Sequence, residues 1–278
     1  MTDNDLWTRR QLFQHGITAS FALAVAPATA KVISTPSDGL LSDTISIPCG
    51  KDSMPAYWAM PKGNGPFPVV LVIQEIFGVH AYIQDICRRL AKEGYLAIAP
   101  YFYFRQGDVT KMKDIPQIIS EVVSKVPQKQ VWEDIDSTMK WLKKNSKADT
   151  TRTAITGFCW GGNVVWMYAA HNPKVRAGVA WYGRVTGKPD GKTLYPVGIA
   201  PTLQVPVLGL YGEKDHGISA DDLSTMREAL KKSKTKHEII VYPGAEHGFH
   251  ADYRPSYQKA AAEDGWKRML AWFKKNGV

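Results

Sequence analysis

The chain has 278 residues, 44% of them hydrophobic and 22% charged, a globular composition that excludes wholesale disorder and fibrous architectures. Lys and Arg number 35 against 26 Asp and Glu, a net charge of +9, which raises nucleic acid and membrane surfaces as partners. The charge is dispersed, however. Its densest cluster, Lys231, Lys232, Lys234 and Lys236, reads as a helix end and the turn after it, where cations complement the helix dipole. A solvated basic surface is expected, with no nucleic-acid partner.

The first residues read apart from the rest. Arg9 and Arg10 precede a mildly apolar run from Gly16 to Ala26, and Pro27 with Ala28-Thr29-Ala30 supplies a small-residue end. That is the order of a secretory signal, and the paired arginines make residues 1–30 resemble a twin-arginine export signal with a periplasmic destination. The alternative is an N-terminal arm retained in the cytoplasm. The apolar run falls short of the about 20 residues a membrane span needs, so no membrane is expected for the mature form. Cys49, Cys87 and Cys159 show no CxxC spacing, which argues against a zinc site or a disulfide framework. A Cys49–Cys87 bond stays open, with two buried thiols favoured over it.

Residues 31–43 read as a linker and 44–278 as a single domain. Thr44–Pro48 and Ala56–Met60 read as a short antiparallel pair. Val69-Val-Leu-Val-Ile73 is a continuous apolar run suited to a strand buried on both faces. Tyr82–Glu93 carries Ile83, Ile86, Leu90 and Ala91 at helical spacing and stops at Gly94. Tyr95–Ala99 is the next strand, and Gln130–Asn145 is a helix with Val131, Ile135, Met139 and Leu142 on one face. Thr153–Thr156 is a strand, followed by a glycine-rich turn and an apolar helix ending before Pro173. Ala177–Trp181 and Val205–Tyr211 repeat the strand pattern. Ser219 and Asp222 form a capping box for a helix to Ser233, Glu238–Tyr242 is a strand, and Ser256–Asn276 is an amphipathic helix. Buried strands alternating with helices predict an α/β fold with a mostly parallel central sheet and helices on both faces.

Gly157-Phe-Cys159-Trp-Gly161-Gly162 has the G-x-nucleophile-x-G pattern between a strand and a helix. There the helix N-terminus lowers a thiol pKa and leaves the Trp160 N–H free to stabilise an oxyanion. Such a nucleophile needs a base, and the base an orienting acid. His247 follows the last predicted strand and Asp215 the one before it, giving the nucleophile, acid, histidine order of α/β-hydrolases. His250, Glu213 and His171 are the competitors. Glu75, in Gln74-Glu-Ile-Phe-Gly78, falls at the carboxyl end of the apolar strand, with the Ile76 N–H as second oxyanion donor. A carboxylate there opposes thiolate formation by like-charge repulsion, which would keep the resting thiol from permanent ionisation.

Gln74-Glu-Ile-Phe-Gly-Val79, Gly157-Phe-Cys-Trp-Gly-Gly162, Trp181-Tyr-Gly183, Gly212-Glu-Lys-Asp215 and Glu246-His-Gly-Phe249 together resemble the dienelactone hydrolase family. The resemblance implies an α/β-hydrolase fold, no metal or organic cofactor, and lactone opening through an acyl-cysteine. It also implies a Cys159, Asp215, His247 triad with Glu75 as the thiol's neighbour. By the same resemblance Arg105, in Tyr103-Phe-Arg-Gln106, and Tyr182 are assigned to substrate binding. The sequence departs from the family where an arginine should shortly follow the histidine: Ala251 stands there, and Arg254 comes later. The expected partner is a small-molecule lactone or activated ester, acted on by a monomer or small homo-oligomer. The rivals are a broad carboxylesterase or thioesterase with the same triad, a non-catalytic small-molecule binding protein, and a thiol redox protein.

Overall fold

The computed structural model describes residues 32–187 and 193–278; the export-like segment 1–30 lies outside them. The strands are β1 (Leu40–Cys49), β2 (Asp52–Pro61), β3 (Phe67–Ile73), β4 (Leu96–Pro100), β5 (Ala148–Phe158), β6 (Ala177–Trp181), β7 (Val207–Gly212) and β8 (Glu238–Tyr242). The helices are α1 (Ala81–Lys92), α2 (Ile115–Glu121), α3 (Gln128–Leu142), α4 (Trp160–His171), α5 (Pro196–Ile199), α6 (Ala220–Leu230) and α7 (Lys259–Lys275). The strands form one sheet in the order β1-β2-β4-β3-β5-β6-β7-β8. β1 with β2 and β2 with β4 pair antiparallel, and every pair from β4 through β8 is parallel.

Side-chain alternation along β3 divides the core into two layers. Val69, Leu71 and Ile73 pack with Ile135 and Leu142 of α3, Val165 of α4 and Met226 of α6. Val70 and Val72 pack on the other face with Ile83, Ile86 and Leu90 of α1 and Met269 and Phe273 of α7. Full burial of each such side chain is worth roughly 1.5–3 kcal/mol, which is why the strand reads as unbroken apolar sequence.

Local signals stop and start the elements as expected. Gly94 takes φ +94° just past α1, a conformation that glycine adopts without steric penalty. Ser219 and Asp222 exchange hydrogen bonds as a capping box on α6. Several boundaries differ from the sequence reading, those of β1, β2 and β5 by four residues or more. β1 begins at Leu40, inside the stretch read as linker, because the hairpin register runs on to Leu40 opposite Pro61. β5 runs from Ala148 to Phe158, and α2 and α5, too short to show helical periodicity, were not anticipated. Cys49, Cys87 and Cys159 are all free thiols. Among the described residues no helix is long and apolar enough to cross a membrane.

Candidate active site

The groups singled out in the sequence follow successive parallel strands: Glu75 after β3, Cys159 after β5, Tyr182 after β6, Asp215 after β7 and His247 after β8. The carboxyl edge of such a sheet is where α/β folds bind ligands.

Cys159 sits alone between β5 and α4 with φ 57° and ψ −116°, a strained conformation for a side chain with a Cβ. Its flanking glycines are demanded by close backbone approach. A Cβ on Gly157 would lie 2.5 Å from the Gly161 oxygen, and one on Gly161 would lie 2.5 Å from the oxygens of Ile73 and Gln74. The same contacts press the first turn of α4 against the end of β3. They bring the Trp160 N–H, in the turn where no intrahelical acceptor exists, alongside the segment carrying Ile76. Neither N–H donates to another described group.

Asp215 is buried, and its two oxygens are divided: Oδ1 accepts the Gly217 N–H at 2.8 Å, and Oδ2 lies 2.7 Å from Nδ1 of His247. Burial disfavours charge on the imidazole, but hydrogen bonds to Asp215 and Cys159 outweigh it and push the His247 pKa up to about 10. The structure therefore pairs His247 with Asp215 and places Cys159 within electrostatic reach of the imidazole. The competitors go elsewhere. Glu213 accepts the Gly244 N–H. His250 is buried on Trp181 with its ring centroid 4.4 Å away and meets the Tyr82 hydroxyl at 2.6 Å, and burial drives its pKa down to about 3. His171 is paired with Asp136 at 2.9 Å.

Glu75 is fully buried. The Tyr253 hydroxyl donates to its Oε2 at 2.6 Å, His80 Nε2 lies 3.3 Å from the same oxygen, and the Arg254 guanidinium stands 3.9 Å from Oε1. Burial alone would raise the carboxyl pKa. The Arg254 charge and the His80 and Tyr253 contacts outweigh it and hold the group down at about 2, so Glu75 is an anion. Arg254 stacks over Phe77 at 5.1 Å, donates to the Tyr253 oxygen at 3.2 Å and lies within electrostatic reach of Cys159. His80 and Tyr253 were not found from the sequence; Arg254 was noticed there without a place.

Two expected substrate contacts stand differently. Arg105 is spent on a separate cluster: its Nε donates to Asp52 at 2.6 Å, Nη1 to Asp134 at 2.8 Å and Nη2 to the Cys49 sulfur at 3.3 Å. Two carboxylates neutralise it there, so its assignment to a substrate carboxylate is corrected. Tyr182 is wholly buried, its ring edge-on to His247 with centroids 5.1 Å apart, which makes it the floor beneath the imidazole. Cys49 donates to Asp134 at 2.7 Å and Cys87 is enclosed by the α1 layer, so neither stands by Cys159 as a resolving thiol.

A sharp strand-to-helix turn after the fifth strand, with an acid and a histidine following the last two, on an eight-stranded, mostly parallel sheet, is the plan of the α/β hydrolases. Within that class the chain belongs to the dienelactone hydrolase family, whose model matches residues 54–277. It is 54% identical over 261 residues to "Putative carboxymethylenebutenolidase" of Escherichia coli (strain K12), covering 93% of this chain and 96% of that protein. It is 52% identical over 275 residues to the protein of the same name from Methylorubrum extorquens, covering 98% and 94%. The crystal structure of "Putative Dienelactone Hydrolase" from Klebsiella pneumoniae superposes with a TM-score of 0.82 at 53% identity, over 85% of this chain and 99% of that one.

Proposed function

We propose that the chain opens lactones or cleaves activated carboxylic esters through an acyl-cysteine intermediate. The observation that carries this reading is the His247 imidazole, 2.7 Å from the buried Asp215 carboxylate and close enough to Cys159 for the two to interact. The Cys159 thiolate attacks the carbonyl carbon, and the Ile76 and Trp160 N–H groups receive the oxyanion. The C–O bond breaks, the leaving oxygen takes the imidazolium proton, and the acyl group remains as a thioester. Neutral His247 then removes a proton from water, the resulting hydroxide attacks the thioester, and the thiolate is released with the carboxylic acid. Activated esters with stable leaving oxygens, such as enol lactones, suit a sulfur nucleophile best.

Arg254, stacked on Phe77 and close enough to sense the Cys159 charge, is the cation that receives an anionic group on the substrate. The Glu75 anion restrains the thiol in the resting site by like-charge repulsion. The test is intact-protein mass spectrometry after mixing with a panel of lactones and aryl esters. An acyl adduct should appear on the wild type and vanish in Cys159→Ala together with turnover; turnover that survives this substitution refutes the reading. The twin-arginine-like segment supports a periplasmic site of action.

A further inference from the structure

Tyr103 is buried to 3% exposure, yet its hydroxyl completes no hydrogen bond among the described residues. A buried phenol in that state is unusual, because an unmet polar group loses its water without replacement. Its surroundings say what it faces. Tyr103 follows β4, the neighbour of β3 on the side away from β5. It therefore stands on the Glu75 and Ile76 side of Cys159, across from His247 after β8. Its ring packs edge-on against Trp160 at 5.2 Å, the residue whose N–H heads α4. The hydroxyl is near enough to Cys159 and Glu75 for both charges to act on it.

The direction of its proton follows from Gln74. The Gln74 Oε1 accepts the Phe102 N–H at 3.3 Å, which leaves Nε2, itself without a hydrogen-bond partner among the described residues, as the donor available to the neighbouring Tyr103 hydroxyl. An amide nitrogen can only donate. The phenol oxygen is thus the acceptor in that approach, and its own hydrogen is free to point at the reacting centre. Burial, followed by the charges of Cys159 and Glu75, keeps the phenol protonated well above its ordinary range in spite of Gln74.

We propose that Tyr103 is a further catalytic residue, whose hydroxyl donates a third hydrogen bond, beside the Ile76 and Trp160 N–H groups, to the oxyanion formed when Cys159 attacks the substrate carbonyl. This rests on the acyl-cysteine reading. No proton is transferred; the donor stabilises charge that exists only in the transition state and intermediate, so it acts on kcat rather than on binding. Gln74 is its positioning residue.

Tyr103→Phe keeps the ring on Trp160 and removes only the hydroxyl. With p-nitrophenyl acetate, kcat should fall about 100-fold, in the range for loss of one oxyanion donor, with KM little changed. The thermal midpoint should be unchanged or raised, since no folded-state hydrogen bond is lost. With the thionoacetate analogue, whose sulfur is a weak acceptor, the loss should shrink markedly. An unchanged kcat, or equal losses with the two substrates, overturns the proposal, and a lowered midpoint with equal losses identifies a packing role instead. Cys159→Ala, run in parallel, separates the failures. If it is inactive while Tyr103→Phe is fully active, only the Tyr103 role falls; if it keeps turnover, the acyl-cysteine reading falls as well.

Discussion

Replacing Glu75 by glutamine keeps the shape of the side chain and removes its charge from a site with no solvent. The carboxyl pKa lies at about 2 in the folded chain against 4.5 ordinarily, and a difference of about 2.5 units corresponds to roughly 3 kcal/mol of stability. The same order is expected for removing one partner of a buried ion pair, about 3–5 kcal/mol, here with Arg254, His80 and Tyr253 left facing an uncharged amide. The sign is fixed by the direction of the shift. A depressed acid pKa contributes its full stability above 4.5 and loses it as the pH falls towards 2. Urea unfolding of the wild type and Glu75→Gln should therefore differ by about 3 kcal/mol at pH 7 and by about 1.5 kcal/mol at pH 3. A gap that is absent at pH 7, or identical at the two pH values, refutes the reasoning. In the folded variant the anion beside the thiol is gone while Arg254 stays, so alkylation of Cys159 by iodoacetamide at neutral pH should be faster; an unchanged rate removes the restraint assigned to Glu75.

Asp215→Asn keeps the Gly217 contact but turns a donor towards His247 Nδ1, fixing the wrong tautomer. Steady-state kinetics on an aryl ester should show kcat reduced by about 10³–10⁴ with KM little altered. Arg254→Lys preserves the cation near Glu75 and loses the planar fork. KM should rise about 10-fold for carboxylate-bearing lactones and stay level for neutral aryl esters, the size expected for one charge-assisted hydrogen bond; equal effects on the two classes would count against substrate contact. Substituting Arg9→Lys together with Arg10→Lys should shift the protein from the periplasmic to the cytoplasmic fraction on cell fractionation, and an unchanged distribution would dismiss the export role.

The parts of this molecule that could be read in advance are those where one residue's physics decides the outcome locally. Val69–Ile73 suits a strand buried on both faces, Gly94 suits a helix end, and Ser219 with Asp222 suits a helix start. Gly157 and Gly161 stand where backbone oxygens come within 2.5 Å of any Cβ, so the elbow announces itself in the glycines. The box around Glu75 was illegible for the opposite reason. Its hydrogen bond from Tyr253 spans 178 residues, and nothing in the local pattern at residue 253 distinguishes a ligand of a buried carboxylate from a surface tyrosine.

Tyr103 and Arg105 show how far a strand-end assignment reaches. The order of the strands places the segment after β4 at the edge of the site, and the sequence supplies two chemically able side chains there. Which of them faces the nucleophile depends on backbone conformation. In an extended segment, residues two apart share a face, and both would face the same way. Here the backbone carbonyl of Tyr103 accepts the N–H groups of both Gln106 and Gly107 at 2.9 Å, so the chain coils as a helical turn, in which residues two apart do not face each other. Tyr103 therefore turns to Trp160, while Arg105 turns away to Asp52 and Asp134. The arginine stabilises the scaffold beneath the β1–β2 hairpin, and the tyrosine is left without a partner beside Cys159, where a developing oxyanion would supply one.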